Sequence, residues 1–138
     1  MIRDKLVPLI RLKYGDRSIQ SDEQPGPVAV FPAKHPRVGD LQIYDHGEEV
    51  TIYFSELTHG HFNPYESELK QEQIDELVAN EVMEFLDDLF ADRYLLWKSR
   101  TGNSDGFQLI DPSLEPIAYR PDTDYFTWSG PADPAPRK

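Results

Sequence analysis

Apolar and polar residues alternate with a period of two over 41–44 and again over 50–54, and Asp45-His46-Gly47-Glu48 interrupts the pattern between them. The alternation predicts a β-hairpin with Leu41, Ile43, Val50, Ile52 and Phe54 on one buried face, and Gly47 supplies the positive φ that such a turn needs. From about Ser67 or Gln71 to Phe90 the period changes to that of a helix. Ile74, Leu77, Val78, Val82, Phe85, Leu86 and Leu89 fall on one continuous arc, so a long amphipathic helix over about 70–91 is expected to lay this face on a core. Two further runs, 94–98 and 107–110, flank a glycine-bounded turn at 102–106 and predict a second hairpin.

The rest of the chain is less patterned. Leu6, Leu9, Ile10 and Lys13 have helical spacing, but Pro8 fits only near a first turn, so a short N-terminal helix ending at Gly15 is expected. The apolar run 28–31, set among Pro25, Pro27, Pro32 and Pro36, predicts one strand at a sheet edge. After Leu57, Thr58-His59-Gly60-His61 reads as a turn, and Pro64 bars continuation as a central strand. Six of the twelve prolines lie from Pro112 onward, so only a short strand at 125–128 is expected there. The resulting fold class is α+β: an antiparallel sheet of four to six strands with the long acidic helix packed on one face, in a single domain over 1–130, followed by a disordered proline-rich tail at 131–138.

Composition supports a folded chain, since 38% hydrophobic and 12% aromatic content in 138 residues is enough for one core. The absence of cysteine excludes disulfides, thiolate metal clusters and a cysteine nucleophile, and a cytoplasmic setting is expected. No leader pattern precedes Ile10, and no apolar run approaches the roughly 18 residues of a membrane span. Charge changes the picture most. Residues 66–92 hold ten of the 25 acidic residues against one base, Lys70, and so carry nine of the eleven net negative charges. Because this stretch is the predicted helix, the charge becomes a directed surface: Glu76, Glu84, Asp87 and Asp88 fall opposite the apolar arc, with Glu81 at its margin. Like charges three and four apart oppose the helix by about 0.2–0.5 kcal/mol each. Either a basic partner or internal pairing with the basic N-terminal segment or Arg93 would offset that cost, and a merely solubilising face is the alternative reading.

Chemistry-bearing motifs are few. His59 and His61, two apart, would point to one side of an extended chain and could share a metal ion. The spacing His59-x-His61-x4-Glu66 resembles the first metal motif of the cupin family, which implies a metal site at His59, His61 and Glu66. Tyr53 and Gln73 replace the two glycines that bracket that motif, and no further histidine follows it. His46-Gly47-Glu48 matches half of a zinc-deaminase signature whose Cys-x-x-Cys half cannot exist here. There is no phosphate-binding glycine loop, nucleophile elbow or His-Glu-x-x-His, and the adjacent pairs Glu48-Glu49 and Asp87-Asp88 are not acid/base couples. Trp97, Trp128, Tyr44 and Tyr53 read as core or sheet-face aromatics, with an interface as their alternative role.

These features favour a non-catalytic protein-binding module that meets a basic protein through Glu76, Glu81, Glu84, Asp87 and Asp88, with no cofactor and no nucleic acid or membrane partner. Small acidic cysteine-free domains of this kind are similar in composition to bacterial immunity proteins that neutralise basic toxins. A metal-dependent enzyme or metal-binding domain using His59 and His61 is the runner-up, and a structural subunit of a larger assembly the third reading.

Overall fold

The computed structural model describes residues 1–21, 26–55, 57–64, 68–115 and 117–133. Helix α1 spans Ile2–Tyr14 and leads, through a 3₁₀ turn at Gly15–Arg17, into five antiparallel strands: β1 Ile19–Gln20, β2 Ala29–Phe31, β3 Leu41–Asp45, β4 Val50–Phe54 and β5 Thr58–Phe62. They form a sheet in sequential order, β1-β2-β3-β4-β5. Helix α2, Gln71–Phe90, follows, then β6 Tyr94–Ser99, β7 Asp105–Leu109, β8 Thr123–Thr127 and β9 Gly130–Pro131, which make a second antiparallel sheet in the order β7-β6-β8-β9. The class is α+β, with both helices against antiparallel sheets. The expected hairpins are β3–β4 and β6–β7.

Helix α1 buries Ile2, Leu6, Ile10 and Tyr14, one residue in four, along the flank of α2. The two helices run parallel: the Met1 amino group lies 3.3 Å from Asp75 at the start of α2, and the Tyr14 hydroxyl donates to Asp87 near its end. Parallel neighbours need a long connection, and the five-stranded meander supplies it. Asp45 at the end of β3 accepts from the Arg3 backbone N–H at 2.8 Å and so seats the first turn of α1. Pro8 lies well inside this helix rather than in its first turn; it faces solvent, where water can serve the carbonyl left unpaired. Helix α2 opens with the Lys70 N–H bonded to Gln73 Oε1 at 2.9 Å. Its apolar arc is buried at Ile74, Val78, Val82, Phe85, Leu86 and Leu89, but Leu77 stands 39% exposed, and Ala79 and Asp75 take the flank that α1 covers.

Residues facing the helices from the first sheet are Ala29, Phe31, Leu41, Ile43, Val50, Ile52 and Phe54, all buried, and the register places them on a single face. Leu96 and Phe126 of the second sheet and Trp128 in the turn between β8 and β9 join the same core. Phe85 is the meeting point: its ring lies 6.3 Å from Phe54 and 5.2 Å from Phe62 in the first sheet, and 4.8 Å from Tyr94 and 5.5 Å from Phe107 in the second, measured between centroids. Such tilted and edge-to-face contacts add to the burial of each ring.

Three further expectations change. The 28–31 run is an interior strand, because β1 pairs outside it through Ile19 and Val30. The His59-Gly60-His61 segment is not a turn but the centre of β5, paired residue by residue with β4. Pro131 belongs to β9, opposite Phe126, and the Ala132 N–H donates to Tyr125 O, so the chain stays docked past the point where the tail was expected to begin; residues 134–138 lie outside the described residues. Pro64 sits beyond the end of β5, which is an edge strand, as a proline there requires.

Gly60 explains why a strand can run through His-Gly-His. Alternation turns residue 60 inward, opposite Ile52, and a Cβ there would lie 2.4 Å from Phe107 Cζ and 2.6 Å from its Cε1. Only glycine lets β5 approach the second sheet. Gly60→Ala should therefore lower stability by about 1–3 kcal/mol, as overpacked cores do. In a Phe107→Leu background the same change should cost clearly less in a double-mutant cycle by chemical denaturation; an equal cost in both backgrounds would show that the contact is not the cause.

Candidate functional site

Two groups of residues were expected to carry function, and the fold treats them differently. The five α2 carboxylates expected to form a docking face, Glu76, Glu81, Glu84, Asp87 and Asp88, do not act as a set. Asp87 accepts from Lys13 Nζ at 2.5 Å and from the Tyr14 hydroxyl, both on α1. Asp88 accepts from Arg93 Nε at 2.8 Å and Nη2 at 2.7 Å, just past the end of its own helix. Burial tends to raise the Asp87 carboxyl, but the hydrogen bonds from Lys13 and Tyr14 and the charges of Lys13 and Arg93 outweigh it and hold it below the usual aspartate range. The Tyr14 hydroxyl is pushed up in turn, first by burial and then by its bond to Asp87. Glu81 is half-buried, and burial together with the Glu84 charge raises its carboxyl. Glu76 and Glu84 are exposed and make no ion pair among the described residues.

The histidines lie on the other side of the first sheet, the one facing away from the helices. The register aligns Ile19, Val30, Gln42, Tyr53 and His59 in one row across all five strands, and Tyr44, Thr51 and His61 in a second. None of these eight is Asp, Glu, Lys or Arg. Four rings and His46, at the β3–β4 turn, form a chain: His46 to Tyr44 at 6.4 Å, Tyr44 to Tyr53 at 5.5 Å, Tyr53 to His59 at 5.6 Å and His59 to His61 at 5.5 Å. Nδ1 of His61 lies 2.9 Å from Thr51 Oγ1 and 3.5 Å from Glu49 Oε2. His46 is thus separated from the pair by two tyrosines. Among the described residues no three His, Asp or Glu side chains gather where they could hold a metal ion; Glu66, the carboxylate of the cupin-like spacing, lies outside the described residues. Where the chain turns from β3 to β4, His46, Glu48 and Glu49 line an open groove of about 800 Å³ with Asn63, Pro64, Glu68, Leu69 and Ile74.

The sequence reading missed the sheet row. It named pairing of the acidic face with the basic N-terminal segment or Arg93 as an alternative to a partner, and Lys13–Asp87 and Arg93–Asp88 are such pairs, but it did not say which carboxylates would be paired or that Tyr14 joins the Lys13–Asp87 cluster. The row was readable once β5 is taken as a strand, because Gln42, Tyr44, Thr51, Tyr53, His59 and His61 are the odd members of the alternation. The cluster joins residues more than 70 positions apart and leaves no local mark. No protein-family model, curated protein or solved structure matches the chain, so the residues alone carry the functional argument.

The Asp87 geometry fixes a pH dependence. A carboxyl held low in the folded chain stabilises it above the ordinary aspartate range, and this contribution fades as pH falls through about 4 and below. Asp87→Asn should accordingly lower the melting temperature at pH 7. The gap to wild type should narrow as the pH falls below the ordinary aspartate range, as read by thermal melts at several pH values. A gap unchanged across that range would show that charge on Asp87 contributes nothing.

Proposed function

We propose that the chain is a non-catalytic protein-binding module whose partner is a basic protein, met by the outward face of α2. The observation that supports this reading is the division among the acidic residues. Asp87 and Asp88 are neutralised within the fold, whereas Glu76 and Glu84 stand in solvent, and the Glu81–Glu84 spacing costs the helix stability. Several bases are already paired at the surface: Lys13 with Asp87, Arg93 with Asp88, and Arg37 and Arg100 share Asp124 at 3.1 and 2.9 Å. What remains outward is a negative field that accelerates the approach of a cation and disfavours nucleic acid. No helix among the described residues is long and apolar enough to cross a membrane, and a cysteine-free chain suits the cytoplasm.

Immobilised wild-type protein offered a lysate of its own cells should capture a basic protein. Association should slow several-fold as salt shortens the screening length from about 30 Å at 0.01 M to about 8 Å at 0.15 M. It should slow again in a Glu76→Gln, Glu84→Gln variant whose melting temperature matches wild type. Capture indifferent to salt and to both substitutions would remove the support for α2 as the docking face.

A further inference from the structure

The outer face of the five-stranded sheet is unlike the rest of this protein. In a chain with 28% charged residues, no outward position of β1 to β5 is Asp, Glu, Lys or Arg, and the middle of the face is aromatic. Sheet faces turned to water ordinarily carry alternating polar and charged residues. Loss of charge with gain of tyrosine marks the centre of a protein interface rather than a solvated surface. The rims of the face are open and its middle is half-buried: Ile19 is 64% exposed, the His61 side chain 47% and His59 is exposed, whereas Tyr44 and Tyr53 are half-buried and Thr51 is buried. The face's contents also have no use in the core. Its rings touch one another and nothing beneath the sheet, since the buried side of the same strands faces the helices.

We infer that this face is a docking surface for an arginine-bearing segment of a basic partner protein, with the guanidinium groups stacked on Tyr44, Tyr53 and the imidazoles and the end of the segment meeting Glu48 and Glu49. The inference rests on the basic-partner reading and adds a second surface to it, on the side of the sheet opposite α2. A second copy of this chain is the weaker occupant. Strands spaced about 4.8 Å apart and advancing about 3.3 Å per residue give a face of only a few hundred Å², against the roughly 800 Å² per partner of a stable association. A two-fold dimer enlarging that contact would oppose identical rims, bringing Glu48 and Glu49 against another chain of net charge −11. A cationic segment extends the contact onto the same carboxylates favourably. Arginine is preferred to lysine because its planar, weakly hydrated guanidinium stacks on aromatic faces.

The test is a titration of isotope-labelled full-length protein, followed by NMR, with an end-capped octapeptide alternating arginine and serine. The same peptide with lysine for arginine, and an all-serine peptide, serve as comparisons. Amide shifts should centre on residues 42–44, 51–53 and 59–61, and the lysine peptide should bind more weakly. A Tyr44→Ser, Tyr53→Ser variant with an unchanged melting temperature should bind the arginine peptide about tenfold more weakly, whereas Glu76→Gln, Glu84→Gln should keep the shifts on the sheet. Shifts confined to α2 around Glu76 and Glu84 would overturn this inference and leave the α2 reading standing. Absence of shifts anywhere with either cationic peptide would overturn both. Equal binding of the all-serine peptide would overturn the arginine assignment. Sedimentation showing a dimer that the tyrosine substitutions dissociate would give the face to a second copy instead.

Discussion

One aromatic ring holds the two halves of the architecture together. Phe85 projects from α2 between the sheets and touches Phe54 and Phe62 on one side and Tyr94 and Phe107 on the other. The first sheet buries its inner side against α1 and α2, and the second sheet and its β8–β9 turn contribute Leu96, Phe126 and Trp128 to the same cluster. A second aromatic set, Tyr14, Phe31, Phe90 and Trp128, repeats the arrangement at the C-terminal end of α2. Arg17 caps it, its guanidinium 4.6 Å from the Phe90 centroid. Asp92, at a positive φ just past the helix, bonds the Ser129 N–H and hydroxyl and ties this end to the second sheet.

This packing decides how the conspicuous sequence motifs should be read. His-Gly-His resembles a metal motif, yet the glycine is demanded by Phe107, and the histidines point outward because residue 60 must point inward. The same holds for the acidic run. Asp87 binds Lys13 and Tyr14 and fastens α1 along α2, and Asp88 holds the turn into β6 through Arg93, so two of the carboxylates have structural duties. The groups that packing does not use are Glu76 and Glu84 on α2 and the aromatic outer face of the first sheet, and the two proposed docking surfaces are built on them.

How much of this could be read from the sequence depended on whether a segment's pattern was local. The β3–β4 hairpin was legible because all five expected core positions alternate without exception, and α2 because its apolar arc spans several turns. β5 was not, since glycine between two histidines offers neither an apolar alternation nor strong strand residues, and only pairing with β4 and contact with Phe107 make it a strand. Leu77 sits at the edge of the arc, where α1 takes the neighbouring flank through Ala79, so periodicity placed it one residue too generously inside. The position of β2 within the sheet depended on β1, a strand of two residues that no pattern announces. Site residues followed the same rule: the acidic face was visible, and Arg93 lies only five residues beyond Asp88, but the pairing of Asp87 depended on α1, some 70 positions away.

The claim that Phe85 and its neighbours make one cooperative core can be tested most directly by native-state hydrogen exchange. Amides at the centres of β4, α2 and β6 should open with a common free energy equal to that of global unfolding. Phe85→Leu should lower all three together. If β6 exchanged through a separate, lower-energy opening while β4 and α2 stayed protected, the second sheet would be an independently unfolding appendage and the account of a shared core would be wrong.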